Sequence, residues 1–116
     1  MHELRVAFER RGRVLLRDDW GLRPLRVAEI LRFEAEPGGV RVHTDAGSFY
    51  LRETLDALES YLGGRTLRSH RSELLMIGRI DRFESREDGR YQAVLDDGTE
   101  RTVSRAVSIE LRRAAL

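Results

Sequence analysis

Two short stretches of this 116-residue chain carry side chains able to hold an anion. The first runs from Leu67 to Ile80. Arg68, His70 and Arg71 stand around two hydroxyls, Ser69 and Ser72, and the chain then turns apolar at Leu74, Leu75, Met76 and Ile77. A cluster of donors followed at once by an apolar anchor reads as a binding loop held by buried residues, and such donors suit phosphate oxygens and base edges. The competing readings are a surface loop whose serines cap a turn, and a buried, hydrogen-bonded His70. The second stretch, Val103-Ser104-Arg105, leaves a strand and opens the last helix. A first helical turn has unpaired N–H groups and the positive end of the dipole, which favour an anion. Arg105 opposes that dipole. A bound phosphate would offset the conflict, and so would an acid such as Glu100; spacing leaves both open.

Other chemistry has little to stand on. Ser, His and Asp are present without a Gly-x-Ser-x-Gly elbow. The three histidines, His2, His43 and His70, lack metal-ligand spacing, and His43 with Asp45 makes one ligand pair at most. Gly38-Gly39 and Gly63-Gly64 read as turn and helix-stop glycines, not as a phosphate-binding loop. The chain is expected to be neither an enzyme nor a carrier of a cofactor or metal.

All 21 basic residues are Arg, and they stand against 20 acids for a net charge of +1. Forked Arg donors match phosphate and guanine, but so small a net charge requires any nucleic-acid contact to be gathered locally. Residues 65–82 hold Arg65, Arg68, Arg71, Arg79 and Arg82 against Glu73 and Asp81, whereas 29–62 are acidic. A contact face therefore belongs to the later half. Without cysteine there are no disulfides and no thiolate chemistry, which is compatible with a reducing cytoplasm. No apolar run approaches the roughly 18 residues of a membrane span, and the N-terminus lacks the apolar core of a signal peptide. The chain reads as soluble as given, and as compatible with being cut from a longer or membrane-tethered protein.

The length fits one domain over residues 1–116, with 1–21 supplying either opening strands or a linker remnant. Leu4–Phe8 alternates like a strand and Gly12 breaks it. Val14–Leu16 is a second strand, and Asp18–Gly21 a turn in which Trp20 is expected to pack. Leu22–Val27 is an edge strand, because Pro24 cannot donate to a ladder. Ile30–Ala35, Val40–Thr44 and Ser48–Leu51 follow as strands around Pro37-Gly38-Gly39 and Asp45-Ala46-Gly47 turns. Val40 and Val42 face inward, Arg41 and His43 outward. The period then changes: Leu55, Leu58 and Leu62 mark a short helix between Thr54 as N-cap and Gly63 as its stop, with Asp56, Glu59 and Ser60 on a solvated face. Ile80–Phe83, Tyr91–Leu95 and Thr99–Val103 form a meander, and Ser104 caps a terminal helix carrying Val107, Leu111 and Ala114 on one stripe. The sum is a mostly β domain.

Four stretches in this order resemble the LytTR (LytR/AlgR-type) DNA-binding domain of bacterial transcription regulators: Ala28–Ala35, Val40–Gly47, Leu67-Arg68-Ser69-His70-Arg71-Ser72, and Val103-Ser104-Arg105. The resemblance covers roughly residues 22 to 114. It implies an elongated fold of packed antiparallel sheets with a short central helix and a C-terminal helix. It implies that loops enter successive major grooves of double-stranded DNA, with Arg68, Ser69, His70 and Arg71 in one, Ser104 and Arg105 in another, and Glu36 to Gly39, with Gly38 and Gly39, as a third approach. It further implies paired copies on direct-repeat sites, and an output domain whose receiver or membrane segment lies outside this chain. Two departures stand out. The double glycine replaces aromatic or polar residues, and Glu73 and Met76 stand where the family favours Tyr and Asn. Glu73 would either weaken phosphate binding by its charge or accept from a cytosine amino group. The alternative function is a β-rich regulatory or protein-interaction module without tight DNA binding.

Overall fold

The computed structural model describes residues 3–116; His2 lies outside them. The first element is a helix, α1 (Glu3–Arg10), and not the strand expected over Leu4–Phe8. Five alternating residues fit either period, and local pairing decides: Arg5 Nε lies 2.8 Å from Glu9 Oε1, one turn on. Gly12, at φ +72°, ends the helix in a conformation that a side chain resists. A hairpin follows, β1 (Arg13–Arg17) with β2 (Leu22–Arg26), in which Pro24 opposes Leu15. At its tip Asp18 Oδ1 accepts from the N–H groups of Trp20 and Gly21, at 2.8 and 2.9 Å. That turn aims Trp20 outward. The indole is 94% exposed, which corrects the expectation that it packs.

Next come β3 (Ile30–Glu36), β4 (Gly39–Thr44) and β5 (Gly47–Leu51), then α2 (Leu55–Leu62), β6 (Thr66–His70) and β7 (Glu73–Met76). They make one antiparallel five-stranded sheet in the order β5-β4-β3-β7-β6. Thr54 Oγ1 caps α2 by accepting from Ala57 N–H at 3.1 Å, and Gly63 stops it at φ 59°. The chain ends with a three-stranded meander, β8 (Ile80–Ser85), β9 (Tyr91–Leu95) and β10 (Glu100–Thr102), and with α3 (Arg105–Ala114).

Two cores divide the apolar residues. In the first, Phe33, Val40, Val42, Leu51, Leu74 and Met76 from one face of the five-stranded sheet meet Leu55, Leu58 and Leu62 of α2 and Val14 and Leu16 of β1. Fully burying each such side chain contributes roughly 1.5–3 kcal/mol. In the second, Leu75 meets Ala93 and Val103, with Phe83, Tyr91, Val107 and Leu111 around them. Every residue of β7 is buried. Leu74 and Met76 serve the first core and Leu75 the second, as the alternation of a strand requires. β7 is therefore the wall shared by both layers, and Glu73 projects on the same side as Leu75.

At one end of the molecule Arg79 joins the layers. Its guanidinium bonds Asp45 in the β4–β5 turn at 2.8 Å, Asp96 after β9 at 2.7 Å and the Ala28 carbonyl at 3.0 Å. The whole is elongated, 44 × 31 × 23 Å. Among the described residues no helix is long and apolar enough to cross a membrane.

Candidate nucleic-acid interface

The donor-rich stretch is a hairpin, not an open loop. His70 pairs with Glu73, so Arg71 and Ser72 form its two-residue tip. The Arg71 side chain is exposed and, among the described residues, its guanidinium has no ion-pair or hydrogen-bond partner, which leaves it available. His70 is also exposed, so the buried alternative is excluded. Its Nδ1 accepts from the Ser72 N–H at 3.2 Å and lies 2.8 Å from Ser72 Oγ. A nitrogen that accepts a backbone N–H carries no hydrogen of its own, so in the neutral ring Nε2 is the donor.

Arg68 holds the tip from behind. Its guanidinium bonds Asp56 and Glu59 of α2, each at 2.9 Å, and donates to the carbonyls of His70 and Arg71 at 3.1 and 2.6 Å. The acidic face of α2, expected to be solvated, is thus the anchor of this hairpin. Ser69 is fully buried. A direct contact from its hydroxyl to a ligand is corrected accordingly: strand alternation turns it inward, where Oγ lies 3.5 Å from Glu73 Oε1.

Backbone hydrogen bonds bring the other two segments against this hairpin. The Ala35 N–H donates to Ser72 O at 2.9 Å, so the Pro37-Gly38 turn begins two residues after a bond to the hairpin tip. The Ser104 N–H donates to Ser69 O at 2.8 Å, which seats the start of α3 on β6. Gly38 takes φ +77°, and a Cβ on Gly39 would overlap the Leu51 carbonyl and the Tyr50 ring. Both glycines are required by the turn, and at these two positions it presents only backbone. Ser104 Oγ caps α3 by accepting from Val107 N–H at 3.2 Å. Arg105, exposed at the first helical position, donates to the Asp88 carbonyl at 3.0 Å and not to Glu100. Arg112 reaches Gly89 O in the same turn at 2.6 Å. Asp88's carboxyl is lowered from 3.8 to about 2, first by the Arg90 side-chain hydrogen bond, with Arg105 contributing by its charge.

Between the hairpin and β10 lies a cleft of about 310 Å³, lined by Glu34, His70, Ser72, Glu73, Glu100, Arg101 and Thr102. Glu73 does not project into solvent; its side chain is 5% exposed. Arg32 Nη1 and Arg101 Nε donate to its Oε2 at 2.9 and 2.8 Å. Neither expectation for Glu73 fits this enclosure, because its charge is matched inside the protein. Arg32 and Arg101 were not legible as parts of the site: they lie 41 and 28 residues from Glu73, and nothing local marks the pairing. The His43–Asp45 pair does not form either. His43 Nε2 lies 3.0 Å from Glu34, while Asp45 is held by Arg79. Among the described residues no group of three His, Cys, Asp or Glu is placed to hold a metal ion.

Comparison with known proteins agrees with the resemblance. A family model described as the LytTr DNA-binding domain matches residues 21–115. The positive alginate biosynthesis regulatory protein of Pseudomonas aeruginosa is 32% identical over 105 residues, which are 89% of this chain and 42% of that protein. This chain thus spans less than half the length of that relative. The fold is similar to the LytTr DNA-binding domain of a protein described as a methyl-accepting/DNA response regulator from Bacillus cereus. The TM-score is 0.74 at 19% identity, covering 88% of this chain and 94% of that one.

Proposed function

This chain belongs to the LytTr DNA-binding domain family, and from that premise we propose that it binds double-stranded DNA sequence-specifically, through turns inserted into the major groove. Membership makes it a regulatory DNA-binding domain; the site and its manner of reading are our inference. The carrying observation is that three turn segments, 36–39, 70–72 and 104–105, are tied to one another by the Ala35–Ser72 and Ser104–Ser69 backbone bonds. Arg71 and Arg105 supply charged donors to phosphate or to the O6 and N7 of guanine, and His70 Nε2 adds a further donor. Arg68 positions the hairpin. Gly38 and Gly39 let the third turn approach the duplex closely with main-chain groups. Two copies on a direct repeat would double the contact, as a small domain of low net charge needs. Such a domain would act in the cytoplasm, either behind a receiver domain or tethered to a membrane.

One observation favours a second reading, a protein-interaction module without tight DNA binding. Trp20 and Leu22 stand exposed on the β1–β2 hairpin, at 94% and 64%. Selection from a random duplex pool separates the two. The DNA reading predicts enrichment of one motif and affinity that falls steeply with salt. Recovery of unselected sequences with a flat salt response would support the interaction module.

A further inference from the structure

Glu73 is a carboxylate at the junction of two sheets, in a position that an apolar side chain could fill. Its neighbours on β7 are Leu74, Leu75 and Met76, all buried. Arg32, from β3 of the five-stranded sheet, and Arg101, from β10 of the three-stranded one, meet at the same oxygen, Oε2, at 2.9 and 2.8 Å. Glu34 stands behind both guanidinium groups, 3.7 Å from Arg32 and 3.9 Å from Arg101, and is itself held by His43 at 3.0 Å. Glu73 Oε1 lies 3.5 Å from Ser69 Oγ. Ser69, in turn, accepts the backbone N–H of Ser104.

A buried ion pair of this kind adds little net stability over an apolar filling, but it tolerates few geometries. Apolar contacts between two small sheets allow sliding, whereas two short charged hydrogen bonds to one oxygen do not. The cluster also occupies a particular place along the chain. Glu73 follows Arg71 by two residues, and Arg101 precedes Arg105 by four. The cleft between the Arg71 hairpin and β10, the strand that leads to Arg105, is lined by Glu73 and Arg101 together with His70 and Ser72.

We infer that Glu73, bridged to Arg32 and Arg101, is a positioning residue that fixes the spacing between the Arg71 hairpin and the Arg105 turn. This rests on the DNA-binding reading above. It opposes the simpler view, in which an acid near phosphate only repels. The two views differ in sign. Repulsion predicts that Glu73→Gln tightens DNA binding; loss of positioning predicts that it weakens binding, by roughly tenfold.

The chain has no cysteine, so two labels can be placed cleanly at Ser60→Cys on α2 and Glu110→Cys on α3. Spin-label distances between them report how the two layers sit, with or without DNA. The expected result is one narrow distribution in the parent chain, a broadened one in Glu73→Gln, and weaker binding of Glu73→Gln to a selected duplex at unchanged circular dichroism. Should Glu73→Gln not fold, Arg101→Gln serves. Its side chain is 34% exposed, and its loss leaves the Arg32–Glu73 pair while cutting the ionic link that Glu73 makes to the three-stranded sheet. An unchanged distance distribution, or tighter binding in Glu73→Gln, overturns the inference. Failure of the parent chain to select any duplex would count against the DNA reading instead, and the distance measurement on free protein would still decide the role of Glu73.

Discussion

Arginine does two different jobs in this protein, and the partners of each side chain separate them. Arg68, Arg79 and Arg101 are held by carboxylates on neighbouring elements and join those elements. Arg71 is exposed at a hairpin tip, and Arg105 touches only a main-chain carbonyl. Sequence alone could not make this division, because it lists guanidinium groups without the acids that will lie beside them. The same logic governs the Asp88 turn under Arg105. Its carboxyl is lowered from 3.8 to about 2, mainly by Arg90. A group whose pKa falls on folding contributes stability that is complete above its unfolded value and lost as pH falls through the folded one. The contribution of Asp88 therefore disappears between pH 3.8 and about 2. Urea midpoints measured across that window should fall less steeply for Asp88→Asn than for the parent chain; parallel curves would contradict the assignment.

At the scale of elements, most of the fold was readable because its punctuation is strong. Period-two runs at Val40–Thr44 and Tyr91–Leu95, glycine turns between strands, and the Leu55, Leu58, Leu62 stripe between Thr54 and Gly63 all fold as their patterns require. The first helix was not readable, since Leu4–Phe8 is too short to separate two periods and the Arg5–Glu9 pair settled it. Trp20 was misread because burial of a single aromatic depends on what faces it, and among the described residues nothing covers the indole, which is 94% exposed. The double glycine is explained at this scale. A Cβ on Gly39 would meet the Leu51 carbonyl and come within 2.6 Å of Tyr50 Oη. Gly39→Ala is expected to cost about 1–3 kcal/mol, as forced overpacking does. Chemical denaturation checks this, and a loss within error of zero would show that the turn yields freely.

At the scale of the molecule, two sheets share β7 as a wall, with an apolar seam at Leu75, Ala93 and Val103 and an ionic seam at Arg32, Glu73 and Arg101. Arg79 ties the layers at one end. The backbone bonds of Ser69 and Ser72 gather three turns elsewhere on the same frame. An acid and a double glycine that looked like obstacles to DNA binding thus belong to the framework that holds the turns proposed to contact DNA. The resemblance named Arg68, Ser69, His70 and Arg71 as one group, but only coordinates distinguish the exposed Arg71 from the buried Ser69 and the carboxylate-held Arg68.

Arg71 and Arg105 are proposed to act together on one duplex. Base preference at each position of a selected site, measured by mobility shift for the parent chain, Arg71→Ala and Arg105→Ala, tests it most directly. Each variant is expected to keep its circular dichroism spectrum, to bind about tenfold or more weaker, and to lose preference at its own, different part of the site. Unchanged affinity and an unchanged preference profile in both variants would contradict it.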